Sequence, residues 1–206
     1  MDPSFLLRGA ILGFAIAAPV GPIGVLVIRR SLAEGRASGL ASGLGAATAD
    51  AAYGALAGFG LTVVTAFLVE GQGWLRLVGG AFLCYLGVRT LLARPAEEAT
   101  DVQEKGGGLV GAYASTFLLT LTNPTTILSF AAVFAGMGGG TTGDRASTAL
   151  LVLGVFLGSA LWWLLLSGGV GLFSGRIGPR GMRVVNLLSG TLIFAFGVSA
   201  VWSGVP

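Results

Sequence analysis

The chain has 206 residues, of which 54% are hydrophobic and only 10% carry a formal charge. Soluble domains carry about 25% charged residues, so this composition excludes a soluble enzyme, a disordered chain and a nucleic-acid-binding domain. The net charge of +3 comes from basic residues between apolar stretches, where they read as membrane-topology signals. Glycine is frequent, at 36 residues, which in a membrane protein indicates closely packed helices.

Six apolar stretches are candidates for spanning helices, which need roughly 20 mostly apolar residues. In chain order they cover residues 5–28, 39–69, 74–92, 110–137, 147–173 and 182–202. They predict an all-α polytopic membrane protein with one transport domain over residues 1–206. Histidine is absent and Cys84 is the single cysteine, so a zinc site, a Ser-His-Asp triad and a disulfide framework are excluded. We therefore expect no enzyme activity, no bound metal and no cofactor.

Three residues, Pro19, Gly21 and Pro22, interrupt the first stretch. Proline has no backbone N–H and clashes with the carbonyl four residues before it. We therefore expect an unwound segment, in which Gly21 allows unusual backbone angles, followed by a half-helix that starts near Pro22. The positive end of a half-helix suits a substrate carboxylate. The alternative is a proline kink that serves packing alone.

The second stretch contains an acidic residue, Asp50, far from either end. A carboxylate at such depth costs about 2.5–3.5 kcal/mol, and residues of this kind normally face a cavity on a substrate or ion path. Asp50 is therefore a candidate for binding a substrate amino group or a coupling proton. Tyr53 follows three positions later, on the same helical face, and is assigned to the same site. The alternative for Asp50 is a buried structural hydrogen bond.

A charged segment over residues 94–108 divides the chain into two halves of three stretches each, residues 1–93 and 109–206. We interpret it as a solvated cytoplasmic linker. A vestibule that collects cations is the alternative.

The fourth stretch has its own break, at Asn123 and Pro124. Pro124 cannot donate a hydrogen bond, and Asn123 offers both a donor and an acceptor. We expect Asn123 to line the substrate path. For the surrounding hydroxyls we expect hydrogen bonds to neighbouring helices or to their own backbone; these belong to Thr120, Thr122, Thr125 and Thr126.

The two halves resemble each other. Gly80 and Gly87 of the third stretch recur as Gly190 and Gly197 in the sixth, with a valine after the second glycine of each pair. The proline breaks of the first and fourth stretches also match. A repeat of three spans must be inverted in the membrane, and inverted repeats with interrupted helices are typical of secondary transporters. The alternative is a chance match of glycine and apolar residues.

Aligning the second stretch with the fifth extends this comparison. With Gly45 set on Gly154, Ser159 falls opposite Asp50, and Trp162 falls opposite Tyr53.

Positive charges are distributed unevenly between the loops. Nine lie after the first, third and fifth stretches, among them Arg29 and Arg30, which we interpret as topology anchors. Only Arg8, Arg76 and Arg145 lie on the other side. The positive-inside rule then predicts a multi-pass protein of the cytoplasmic membrane with both termini outside.

Several runs, taken in order, carry a family resemblance; they are residues 18–25, 30–39, 43–53 and 121–124, with the Gly80 and Gly87 pair. They resemble the LysE/RhtB family of amino-acid exporters over nearly the whole chain. The resemblance implies a six-span, inverted-repeat inner-membrane protein that exports amino acids using the proton gradient. It also implies site residues, which are Pro19, Gly21 and Pro22 at the family's Pro-Gly-Pro break, Asp50 at its span-two acid, and Asn123 and Pro124 at its span-four motif.

The predicted function is therefore export of amino acids or similar small zwitterionic metabolites, driven by the proton gradient. Val20, inserted in the first break, and Ile23, where many members carry Asn, leave the particular substrate open. One alternative is a divalent metal exporter. Such a cation needs about six oxygen ligands, and the sequence shows one acidic residue within the apolar stretches. A non-transporting scaffold subunit is another. The expected partners are an amino acid and membrane lipid, without nucleic acid, and assembly into a homo-oligomer is left open.

Overall fold

A computed structural model describes residues 3–19, 21–59, 72–92, 108–123, 125–130, 145–172 and 178–204. Of these residues 93% are helical, and none is in a strand, so the predicted all-α class is confirmed for them. The helices in chain order are α1 (Ser4–Ala17), α2 (Pro22–Ala33), α3 (Arg36–Gly58), α4 (Gln72–Leu92), α5 (Gly108–Leu121), α6 (Arg145–Gly171) and α7 (Pro179–Gly204). A short helical segment over residues 125–130 follows α5.

Three helices of the described chain are long and apolar enough to cross a membrane, namely α4, α6 and α7. Helices α1 and α2 form a fourth candidate, broken by a bend of 83°. Helix α5 is apolar but has only 14 residues. Helix α3 has 23 residues but is not among the spanning candidates; its glycines and serines, with Arg36 and Asp50, lower its hydropathy. The described residues therefore supply three or four spanning candidates where the sequence predicted six.

Parts of four predicted stretches and most of the linker lie outside the described residues. These parts are residues 20, 60–69, 124, 131–137 and 173 of the stretches and residues 94–107 of the linker. Gly108, which we assigned to the linker, is the first residue of α5.

The principal helix contacts join the two halves of the chain. Helix α1 packs along α6, α3 lies against both α5 and α6, and α4 packs along α7. The backbones approach closely where glycines meet them. A Cβ built on Gly9 would lie 2.1 Å from the carbonyl oxygen of Leu151, and one built on Gly154 would lie 2.2 Å from that of Leu6. Any side chain at either glycine would therefore push α1 and α6 apart.

The α4–α7 contact is made by the repeated glycine pairs. A Cβ on Gly80 would lie 2.8 Å from the carbonyl oxygen of Gly197. At the other end of the contact, a Cβ on Gly190 would lie 3.0 Å from the carbonyl oxygen of Gly87. The first glycine of each helix thus faces the second glycine of its partner, and the two helices run antiparallel.

Large apolar side chains cover the outside of the bundle. They are spread over α1, α4, α6 and α7, and the most exposed include Leu7, Trp74, Leu161, Leu188 and Trp202. Many buried positions instead carry small side chains, such as Ala47, Ser42 and Ser159. This pattern suits a bundle surrounded by lipid, in which small residues allow the helices to approach one another.

Candidate functional site

The first helix break lies between Ala17 and Pro22. Pro22 is the first residue of α2, where its fixed φ angle and missing N–H are tolerated. Gly21 has φ −103° and ψ −160°, an extended conformation that does not require glycine, so the expectation of unusual backbone angles there is wrong. A Cβ on Gly21 would meet nothing within 4 Å. Val20 lies outside the described residues.

The first turn of α2 follows directly after this break. The Val25 N–H donates to the Gly21 carbonyl at 3.1 Å, which closes the first helical turn. Ile23 and Gly24 precede the first residue whose N–H can find an acceptor within its own helix. The N-terminal end of α2 therefore carries partial positive charge at this break.

The second break lies after α5. The Asn123 side-chain oxygen accepts a hydrogen bond from the Thr125 N–H at 3.1 Å, and its backbone carbonyl accepts one from the Ile127 N–H at 3.1 Å. Asn123 is thus the N-cap of the segment 125–130. Its own N–H donates to the Thr120 carbonyl at 3.2 Å. Pro124 lies outside the described residues.

Two of the nearby threonines bond to their own helix. The Thr120 hydroxyl donates to the carbonyl of Thr116, and the Thr122 hydroxyl donates to that of Leu118. For Thr120 and Thr122, the prediction that the hydroxyls bond to the backbone is confirmed.

Asp50 lies in the middle of α3, with only 3% of its surface exposed. Its Oδ2 accepts a hydrogen bond of 2.7 Å from the Ser159 hydroxyl of α6. Ser159 Oγ in turn accepts a 3.1 Å bond from the Trp163 indole N–H, which leaves the hydroxyl hydrogen for Asp50. The alignment that set Ser159 opposite Asp50 therefore corresponds to a direct contact.

Tyr53 is buried beside Asp50 but points elsewhere. Its hydroxyl donates to the carbonyl of Leu121 at the end of α5. Its ring stacks on that of Phe130, with 5.7 Å between the ring centroids. Tyr53 braces the region of the second break rather than lining the site.

A cavity of about 550 Å³ brings the two breaks together. This volume lies within the range of 300–1,000 Å³ that is usual for small-molecule sites. The predicted site residues that line it are Pro19, Gly21, Pro22, Asp50 and Asn123. Tyr53 is not among the lining residues. The described residues contain no group of three or more His, Cys, Asp or Glu side chains that could hold a metal ion.

The cavity occupies one end of the bundle. Helix α4 contributes only its first half, from Arg76 to Leu83, and α7 contributes only its last part, from Phe196 to Ser203. Because α4 and α7 run antiparallel, these two parts lie at the same end.

A family model for LysE type translocators matches residues 14–204, nearly the whole chain. The chain belongs to the LysE type translocator family. Members of this family are transporters rather than enzymes. Together with the apolar helices, this membership makes the translocator a multi-pass membrane protein.

Three relatives of this translocator are similar over most of their length. The chain is 28% identical to "Putative amino acid efflux protein YcgF" of Bacillus subtilis (strain 168), covering 98% of this chain and 97% of the relative. It is 29% identical to "Uncharacterized membrane protein YahN" of Escherichia coli (strain K12), covering 87% and 81%. It is 27% identical to "Chemotactic transduction protein ChpE" of Pseudomonas aeruginosa, covering 77% and 78%. No solved structure gives a significant match.

At the end of the translocator opposite the cavity, Arg30 is buried with 8% of its surface exposed. Its guanidinium NH1 donates to the hydroxyls of Ser42 at 2.8 Å and Thr116 at 2.9 Å, and to the Ala112 carbonyl at 3.0 Å. Its NH2 donates to the Ser115 hydroxyl at 2.9 Å. Arg30 therefore ties α2 to α3 and α5.

Arg29 is also buried at the end of the translocator opposite the cavity. It forms an ion pair of 3.2 Å with Glu34, and its Nε donates to the side-chain oxygen of Asn186 in α7 at 3.4 Å. Arg29 and Arg30, which the sequence predicted only as topology anchors, thus join helices inside the bundle. The sequence does contain the hydroxyl side chains of α3 and α5 that bind Arg30. It does not show that these side chains lie next to Arg30 in the fold.

Proposed function

We propose that this translocator exports amino acids or similar small zwitterionic metabolites across the cytoplasmic membrane, driven by the proton gradient. The observation that carries the proposal is that Asp50 and both helix breaks border one and the same cavity. Family membership supports transport, and the printed name of the Bacillus subtilis relative supports amino-acid efflux.

Each predicted site residue has a role in this proposal. Asp50 binds the substrate amino group or carries the coupling proton, because its carboxylate borders the cavity. The break at Pro19, Gly21 and Pro22 presents the positive end of α2 to the substrate carboxylate. Asn123, with Pro124, completes the site from the other half of the chain. Tyr53 contributes by holding the end of α5 in place.

We also propose that the chain forms six spans in two inverted repeats, residues 1–93 and 109–206. The helix contacts support this, because exchanging the halves maps the α1–α6 contact onto the α5–α3 contact. The aligned glycines behave in the same way. A Cβ on Gly45 would lie 2.3 Å from the Tyr113 carbonyl oxygen of α5, and one on Gly154 would lie 2.2 Å from the Leu6 carbonyl oxygen of α1.

The orientation belongs to the same proposal. With both termini outside, the end that holds Arg29 and Arg30 faces the cytoplasm, as the positive-inside rule requires. The cavity then lies at the outer end of the bundle.

The test is efflux from membrane vesicles that contain the protein and are preloaded with a panel of amino acids. We expect a subset of the panel to leave faster than from vesicles without the protein, and an acidic exterior to accelerate this efflux. A protonophore should remove the acceleration. If every amino acid leaves at the rate of the control vesicles, the proposed function is wrong. If the efflux rate does not change with the pH gradient, the proposed coupling to protons is wrong.

A further inference from the structure

The charge distribution within the cavity is simple. Among the described residues that line it, Asp50 is the one acid and Arg76 is the one base. The remaining lining residues are apolar, small or neutral. In a site shielded from water, two opposite charges attract complementary groups more strongly than they do in bulk water.

Arg76 borders the outer part of the cavity, in the first half of α4. Its NH1 donates at 3.1 Å to the carbonyl of Ser203 near the end of α7, and Ser203 also lines the cavity. This bond directs the guanidinium towards the cavity wall formed by the end of α7. A guanidinium carries five N–H donors in a planar fork that matches a carboxylate.

The wall of the cavity is largely apolar. Every helix except α3 contributes a larger apolar side chain to it, and these include Ile16, Leu83, Leu119, Leu128, Trp163 and Phe196. Apart from Asp50 and Arg76, the described lining residues carry no charge, so this surface accommodates a hydrocarbon side chain better than a charged one.

We propose that Arg76 binds the carboxylate of the exported molecule together with the N-terminal end of α2, which makes the cavity selective for zwitterions with an apolar side chain. This inference rests on the proposed function and names its substrate class. Asp50 attracts the amino group, and Arg76 attracts the carboxylate. An amine without a carboxylate carries only a positive charge. Arg76 repels this charge, and no attraction to a carboxylate offsets the repulsion.

The test compares leucine with leucinamide, which keeps the amino group and the side chain but lacks the negative charge. Equilibrium binding to the purified protein and efflux from vesicles are both measured. The variants are Arg76→Gln, which keeps a donor for the Ser203 carbonyl, and Arg76→Lys, which keeps the charge. Arg8→Gln is the matched control, because Arg8 is exposed on α1 and does not line the cavity.

We expect the unaltered protein and Arg8→Gln to prefer leucine over leucinamide in binding. Arg76→Gln should weaken leucine binding at least tenfold and leave leucinamide binding unchanged or stronger, and Arg76→Lys should keep part of the preference. If Arg76→Gln weakens both ligands equally, Arg76 is a structural strap between α4 and α7 and the inference is wrong.

Binding and efflux separate the two proposals. If the preference depends on Arg76 in binding but nothing is exported, the inference on Arg76 stands and the proposed function fails. If leucine is exported and Arg76→Gln keeps the preference, only the inference on Arg76 fails. If the unaltered protein binds neither molecule, this substrate class is wrong.

Discussion

Asp50 is a buried carboxylate that depends on one hydroxyl, that of Ser159, for its hydrogen bond within the described chain. When the carboxyl is ionised, such an arrangement is costly for folding, because a buried charge with one neutral partner recovers little of its lost hydration. Replacing the charge with a neutral amide should therefore not reduce stability. A strong effect of that replacement on transport would have to come from the substrate or the proton.

We expect Asp50→Asn to abolish export while the protein stays folded and inserted. An ion pair at 4 Å is worth about 4 kcal/mol at an effective dielectric constant of 20, so its loss should slow efflux by at least about 100-fold. The measurement is the initial efflux rate at matched expression, with thermal stability recorded in detergent.

Tyr53→Phe is the control on the same helix, since Tyr53 does not line the cavity. It should keep most of the efflux and lose some thermal stability, because the Leu121 carbonyl loses its donor. Near-normal efflux by Asp50→Asn would assign this carboxylate to structure alone.

Single residues differed in how far the sequence could predict them. Asp50 stood out because a carboxylate within an apolar stretch is expensive whatever surrounds it. The role of Arg30 could not be predicted, because the sequence does not distinguish an arginine that contacts lipid headgroups from one that binds other helices. Its partners Ser42 and Thr116 lie 12 and 86 residues away. Tyr53 shares a helical face with Asp50, but the sequence could not show that its hydroxyl reaches α5.

The helices themselves followed the apolar pattern closely. Helix α4 (Gln72–Leu92) was predicted over 74–92 and α6 (Arg145–Gly171) over 147–173, so these bounds agree within two residues. Helix α2 was predicted to end at residue 28 and continues to Ala33. Hydropathy placed the end before Arg29 and Arg30, but burial and hydrogen bonding keep both arginines in the helix.

Glycines allow a test at this scale. A Cβ on Gly197 would lie 2.6 Å from the backbone nitrogen of Cys84 and 2.8 Å from the carbonyl oxygen of Gly80, so Gly197→Ala should force α7 away from α4. Overpacking of this kind costs about 1–3 kcal/mol. We expect Gly197→Ala to melt at a lower temperature in detergent than the unaltered protein.

The matched control is Gly169→Ala in α6, where a Cβ would meet nothing within 4 Å. There alanine should be neutral or stabilising by up to about 1 kcal/mol, because it favours the helical conformation. Equal melting temperatures for the two variants would contradict the close contact between α4 and α7.

The molecule as a whole has two unlike ends, one with the cavity and one with the buried arginines. The orientation of these ends can be measured with single cysteines at Ser4→Cys and Val205→Cys in a Cys84→Ser background. We expect an impermeant thiol reagent to label both from outside, because the sequence assigns nine of the twelve basic residues to the cytoplasmic side. Labelling of either position only after permeabilisation would reverse the assignment for that end.

The partners of Arg30 determine how the arginine end could come apart. Within the described chain they are four neutral oxygens, three hydroxyls and one carbonyl. Water offers an equivalent acceptor for each of these bonds. The neighbouring ion pair joins Arg29 to Glu34, only five residues later, so it can travel with α2 intact. As far as the described residues go, separating α2 from α3 and α5 therefore requires water to enter between these helices, and it does not require opposite charges to part.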